Sequence, residues 1–346
     1  MQIHRRVFLF FLILFILFFL KNNLFATSIS NAIPTAISVP LEILNINGST
    51  RLGVEIQLAG GSPMKVLLDT GSVGLRVFPD KLGKEGLVKT QQKLYEHYSG
   101  GDSYRGIKAF APMEIGGVTT GPIGFQIIQK STCKNRAIVN CRGLVGDDFD
   151  GIMGIDLAGL RKNIKNDKNR DGIISPLVQL PGNLKTGFII EIHRIGLLQE
   201  NKAVLILGLT PENKAGFAMQ DLTPLGHYLD GNTGWNDKSL VSHIKIQGVS
   251  MDAPTTFDTG EPSAVLTVLD LGLFNLLKNH HLPPNVWVNI NLPTGQNWSF
   301  LTQNKDRNLS FKIYEGGADR LNTGVGFFMH HAVLYDMSKG RLGVKL

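Results

Sequence analysis

The sequence predicts a mainly β protein folded as two similar lobes. Three observations predict it. The chain has 346 residues, long for a single hydrophobic core and suited to two. It carries 39 glycines and only 18% charged residues, a composition that fits a turn-rich β protein. One short pattern occurs twice, once in each half: Asp69-Thr70-Gly71 and Asp258-Thr259-Gly260.

The N-terminus is expected to be a targeting segment. Arg5 and Arg6 precede 14 unbroken apolar residues, 7–20, which is short of the ~20 needed to span a bilayer. Residues 1–26 are therefore expected to be a signal peptide, with cleavage after Ala26 or Ala32, delivering a periplasmic or secreted protein. If uncleaved, the segment would be the chain's one membrane contact. Its removal takes three cations and no acid, so the net charge falls from +7 to +4. With no concentrated basic run, nucleic-acid binding is not expected. About ten residues then separate the cleavage region from the first strand, which leaves no room for a long basic propeptide.

Residues 38–60 alternate apolar and polar, most cleanly at Leu52, Val54, Ile56 and Leu58, with Gly60-Gly61 as a turn. This predicts a hairpin that delivers the next strand, Val66-Leu67-Leu68, to a sheet. That buried run ends in Asp69, followed by Thr70, Gly71 and Ser72. One Asp-Thr-Gly is compatible with an ordinary turn; two copies suggest a pair. Two carboxylates held about 3 Å apart cannot both ionise easily and share a proton. One then serves as general base toward water while the other polarises a carbonyl. Glycine permits the sharp turn, and Thr or Ser hydroxyls steady the carboxylates.

With these motifs the chain resembles the pepsin-like aspartic proteases, over residues from about 38 to the C-terminus. Further segments carry the likeness. Phe149-Asp150-Gly151-Ile152-Met153-Gly154-Ile155 is similar to the family strand that threads beside the catalytic loop, where glycine permits close backbone approach; Asp150 is read as structural. Asp258 follows Asp69 by 189 residues, near the family's separation. The closing run Gly324 to Asp336, with Arg341-Leu342-Gly343-Val344, tracks the family's last segment.

The resemblance implies a bilobal fold with pseudo-twofold lobes, residues 33–205 and 206–346, around a central cleft. It implies Asp69 and Asp258 as catalytic groups, supported by Thr70, Gly71, Ser72, Thr259 and Gly260. It implies a flap over the substrate, with Tyr98 as its tyrosine, Tyr104 as the alternative, and Gly100-Gly101 at a mobile tip. The expected substrate is an extended peptide or protein, the expected state a monomer, and no metal or cofactor is called for.

The chain also departs from the family. Arg76 stands where a tryptophan supports the flap tyrosine; it either biases a subsite toward acidic groups or lies solvated on a strand edge. Glu261 replaces the hydroxyl expected beside Asp258, and its charge would raise the pair's apparent pKa values unless it turns to solvent; Ser263 is the nearest substitute hydroxyl. Asn322-Thr323 is polar where the second threading strand should be apolar, which predicts a less buried strand. These departures support the alternative of a catalytically inactive peptide- or protein-binding module.

The remaining features are read as structural. Cys133 and Cys141 flank a short loop and are expected to pair in an oxidising compartment. Residues 167–172 mimic the start of a calcium loop, but Val178 occupies the twelfth position, so a surface loop is expected. Residues 175–180 suit a short helix with proline at its first position, and 271–280 another. His280-His281 and His330-His331 are read as surface or packing residues.

Overall fold

The computed structural model describes residues 33–46, 48–133, 141–157, 173–195, 200–227, 232–274, 277–303 and 306–346. The predicted signal segment, the loop between the cysteines and residues 167–172 lie outside them. Among the described residues the strands form sheets of thirteen and seven strands and one two-stranded ribbon, and the helical pieces are short 3-10 turns. The large sheets give the bilobal all-β architecture that the composition and the repeated motif predict.

The opening hairpin forms as its pattern requires. Ile37–Ile46 pairs antiparallel with Ser49–Leu58, and Leu52, Val54, Ile56 and Leu58 all face the core. A turn with Ala59 and Gly60 at positive φ returns the chain into Met64–Asp69. Val66 and Leu68 face the main core, while Leu67 joins a second cluster with Tyr104, Phe149 and Ile152 on the other face. A one-residue slip would exchange these two sets, so burial on both faces fixes the register and with it the position of Asp69.

Gly151–Ile155 threads between two strands, parallel to Met64–Asp69 and antiparallel to Val73–Val77. Gly154 lies opposite Asp69, and a Cβ there would fall 2.7 Å from the Ser72 carbonyl carbon, so no side chain fits. The second half repeats this device. Arg320–Asn322 runs parallel to Val249–Thr256 and antiparallel to Ala264–Val268. A Cβ at Gly324 would fall 2.5 Å from the Ser263 carbonyl oxygen. Two such three-strand arrangements, one per Asp-Thr-Gly turn, are the pseudo-twofold element of the fold.

The larger sheet runs from Ala218–Asp221 through Arg341–Lys345, Ala332–Asp336, Gly187–Ile195 and Glu200–Leu207 to the opening hairpin, and on to Val88–His97. The chain's last two strands thus sit in the sheet that carries Asp69. Asp258 follows Val249–Thr256 of the seven-stranded sheet. Phe327 packs on Phe257, Trp298, Phe328 and His331, bracing the residue just before Asp258.

Two helix expectations are corrected. Among the described residues of 271–280, Leu271–Leu273 alone is helical, as a 3-10 turn. Asn279 and His280 adopt positive φ and Lys278 pairs with His281 in a β-bridge, which stops a helix from propagating. Pro176–Gln179 is a 3-10 turn with proline at its start, and the Ser175 hydroxyl caps nothing. Cys133 and Cys141 are disulfide-bonded, with Cα atoms 6.2 Å apart.

Candidate active site

The two Asp-Thr-Gly turns meet and lock each other. The Thr70 amide donates to Thr259 Oγ1 at 3.1 Å, and the Thr259 amide donates to Thr70 Oγ1 at 2.9 Å. Each hydroxyl donates in turn across the junction, Thr70 to the Phe257 carbonyl at 2.7 Å and Thr259 to the Leu68 carbonyl at 2.7 Å. Both threonines are buried, so these bonds are shielded from water and costly to leave unmade. Tyr335 donates to the same Phe257 carbonyl at 3.1 Å.

This lock brings the carboxyl groups of Asp69 and Asp258 side by side, a Cβ on Gly260 falling within 3.1 Å of an oxygen of each. A Cβ on Gly71 would lie 2.4 Å from the Asp258 carboxyl carbon, and one on Gly260 2.4 Å from Asp69 Oδ1. Each glycine is therefore required by the other turn's carboxylate. The Gly71 amide donates to Asp69 Oδ1 at 2.8 Å and the Gly260 amide to Asp258 Oδ1 at 2.7 Å. Burial, and then the charge of Asp258, push Asp69 up to about 7; the Ser72 hydroxyl and Gly71 amide pull the other way.

Support of the outer oxygens differs between the turns. Ser72 Oγ donates to Asp69 Oδ2 at 2.5 Å, within its own turn. Asp258 Oδ2 is bonded at 2.6 Å by the side-chain amide of Asn322, whose oxygen is fixed by the Gly324 amide at 2.9 Å. This corrects two expectations. Ser263 does not supply the missing hydroxyl: its Oγ is buried without a partner among the described residues. The second threading strand is not loosened by its polar pair, because Thr323 is fully buried and donates its amide to the Thr256 carbonyl while Asn322 reaches the site.

Glu261 neither faces Asp258 unpaired nor turns fully to solvent. Its carboxylate lies 3.6 Å from Lys312 Nζ, with its side chain 26% exposed. Burial raises its pKa, and the Lys312 charge opposes that shift. Arg51, which the sequence did not mark, donates to the Gly260 carbonyl at 2.5 Å and feels the charges of Glu261, Asp258 and Asp69.

The strands expected to form the flap, Val88–His97 and Ser103–Ile115, pair as a hairpin whose turn begins at Tyr98. The Gly101 amide donates to the Tyr98 carbonyl at 2.9 Å, and Gly100 is exposed at the tip. The Tyr98 ring is buried edge-on against Tyr104, centroids 5.7 Å apart, and its hydroxyl has no partner among the described residues. Tyr104 is a core residue: its hydroxyl donates to the Arg142 carbonyl and accepts from the Val145 amide. Both readings of Arg76 are corrected. It is 6% exposed, donates to the Val73 and Gly74 carbonyls, and pairs with Glu96 at 2.5 Å. A buried guanidinium whose Nη atoms bond its own turn and Glu96 is neither a solvated residue nor a subsite charge.

Asp150 accepts from the Lys65 amide and pairs with Lys81, away from the two carboxyls. His331 packs on Phe327 and His280 on Tyr314. The buried carboxyl of Asp237, raised to about 6 chiefly by burial, lies within electrostatic reach of Asp258. Among the residues that sequence reasoning missed, Asn322 had a signal: an amide in a buried strand must find a partner. Arg51 and Asp237 had none.

Fold and site together define an aspartyl-peptidase-like protein. Residues 37–217 match the family described as the PE-PGRS C-terminal aspartyl peptidase-like domain, just over half of the chain, and the chain belongs to that family. The match contains Asp69 and ends before Asp258. No curated protein matches the chain.

Proposed function

We propose that this protein is an exported aspartic endopeptidase. The observation that carries the reading is the pair of interlocked Asp-Thr-Gly turns with their carboxyls side by side. In this reading Asp69, raised to about 7, holds the proton that the pair shares. Asp258 takes a proton from a bound water, whose oxygen attacks the peptide carbonyl carbon, while Asp69 gives its proton to the carbonyl oxygen. The tetrahedral diol collapses as Asp258 passes its proton to the amide nitrogen, Asp69 takes a proton back from a diol hydroxyl, and the C–N bond breaks to leave a carboxylic acid and an amine. The step calls on no metal, cofactor or covalent intermediate.

The peptide lies extended between lobes 33–205 and 206–346, under a flap with Tyr98 at its base and Gly100-Gly101 at its tip. The enzyme acts as a monomer in the periplasm or outside the cell, reached through the signal segment 1–26.

The test is cleavage of a denatured protein from acid to mildly alkaline pH, with wild type beside Asp258→Ala and with a statine-type transition-state analogue. Cleavage by wild type, blocked by the analogue and absent in the variant, is expected. Activity is expected to decline above pH ~7, as the pair loses its shared proton. Folded wild-type protein that cleaves nothing at any pH would move the reading to a peptide-binding module.

A further inference from the structure

A pocket of about 500 Å³ opens beside the second Asp-Thr-Gly turn, lined by Ser263, His281, Arg307, Ser310, Lys312 and Tyr314. Its volume lies in the range of small-ligand sites. Its chemistry follows from local structure. The strand Phe311–Glu315 buries Phe311 and Ile313 in the core, so Lys312 and Tyr314 face the other way, into the pocket. Arg307 opens the 3-10 turn Arg307–Leu309 and is anchored through Nη1 to Ser49 Oγ at 2.9 Å, which aims its guanidinium toward the strand that carries Arg51. Burial and the charges of Lys312 and Arg307 lower the pKa of His281, a sign of positive potential.

The pocket wall also buries hydroxyls without partners. The Oγ atoms of Ser263, 0% exposed, and Ser310, 6% exposed, have no partner among the described residues. A buried hydroxyl left unpaired is destabilising, so both carry unused bonding capacity in the pocket wall. The carboxylate nearest to Lys312, Glu261, stands 3.6 Å away, too far for a hydrogen bond. Two cations therefore line a space in which the carboxylate paired with Lys312, that of Glu261, makes no hydrogen bond to it. The pocket is joined to the carboxyl pair by the chain itself, because Gly260, Glu261 and Ser263 form the turn that follows Asp258.

We propose that this pocket is a carboxylate-binding subsite, which receives an Asp or Glu side chain of the peptide held beside Asp258. The source of the carboxylate rests on the peptidase reading; the pocket's preference for an anion does not. Glu261 acts as an internal competitor, pairing loosely with Lys312 until a substrate carboxylate takes its place.

The test compares otherwise identical peptides carrying Asp or Glu, or their amides, at each position around the scissile bond. The ratio of kcat/KM for acid over amide cancels any general effect on the carboxyl pair. In wild type the ratio is expected to reach ~10-fold or more at one position, as for a charge-assisted contact. Lys312→Gln should bring it toward one, and Glu261→Gln should raise it. Because these variants act in opposite directions, poor folding of one does not remove the test. A ratio near one at every position in wild type, or one unchanged by Lys312→Gln, overturns the proposal.

If wild type cleaves no peptide, the same peptides with a reduced scissile bond are titrated calorimetrically. A Lys312-dependent preference for the acid then upholds the pocket while the peptidase reading falls. No such preference overturns the pocket as well. Inorganic phosphate is titrated in parallel. Lys312-dependent phosphate binding without any peptide preference would make this a free-anion site and overturn the substrate assignment.

Discussion

The turns at Asp69 and Asp258 do the same structural work with different parts. Each is held by a threonine that crosses to the other turn, by its own glycine amide, and by a threading strand. They part at the third residue after the aspartate. At Asp69 this is Ser72, which bonds the outer oxygen directly. At Asp258 it is Glu261, which points to Lys312, and the bond comes instead from Asn322, 64 residues away. A donor is needed at each outer oxygen, but the chain can supply it from the turn itself or from the threading strand. The symmetry is one of bonds made, not of residues used.

The largest expected effect tests what the two halves share. Asp69→Asn should lower kcat by at least ~10³-fold, because the amide can neither hold nor release the shared proton. The same variant has a second readout. In the folded protein Asp69 is raised to about 7, above its unfolded value of 3.8. Its stabilising contribution is complete below about pH 4 and is lost as pH rises through about 7. The asparagine variant escapes that loss. In urea titrations its stability relative to wild type should rise between pH ~4 and ~7 and level off at up to about 4 kcal/mol. A pH-independent difference between the two proteins would show that Asp69 is not strained by burial beside Asp258.

An intermediate effect tests the substitution of parts. Asn322→Leu leaves Asp258 Oδ2 without its donor, and kcat should fall ~10–100-fold with little change in KM. Adding Glu261→Thr should recover part of the loss by placing a hydroxyl where the first turn has Ser72. Recovery would establish that the two supports are interchangeable. A single variant with unchanged kcat would show that the Asn322 bond does nothing for the reaction.

This division also explains what could be read from the sequence. The Asp69 half was legible because its determinants are local: an apolar run, an aspartate, a glycine, and a serine three residues on. The same locality makes Gly154 readable, since a threading strand without room for Cβ needs glycine. The Asp258 half carries the same signals up to Gly260 and then breaks the pattern. Its repair depends on the register of Arg320–Asn322 against Val249–Thr256, which no local pattern encodes. Asn322 was visible as an anomaly, but not as a ligand of Asp258. Arg76 was misread for a related reason. Its partner Glu96 lies on the strand Val88–His97, and only the folded chain brings the two within 2.5 Å. The helix expected over 271–280 is reduced to the 3-10 turn Leu271–Leu273, because a β-bridge and two left-handed residues follow it.

The smallest expected effect separates the two supports by what they do to protonation. Ser72 donates to an oxygen of Asp69, which favours the ionised form and works against the burial that raises that group to about 7. Ser72→Ala removes that pull, so the pair should keep its shared proton to higher pH. The alkaline limb of the kcat profile should move upward while the acid limb stays in place, and kcat at the optimum should change only a few-fold. Asn322→Leu removes a donor from the other carboxyl, so its profile should fall in height before it moves on the alkaline side. If both variants shift the same limb equally, the proton is shared evenly and the two turns are equivalent in chemistry as well as in form. If only Ser72→Ala moves the alkaline limb, the proton belongs to Asp69, and the asymmetry of supports is the reason the pair has a distinct acid and base.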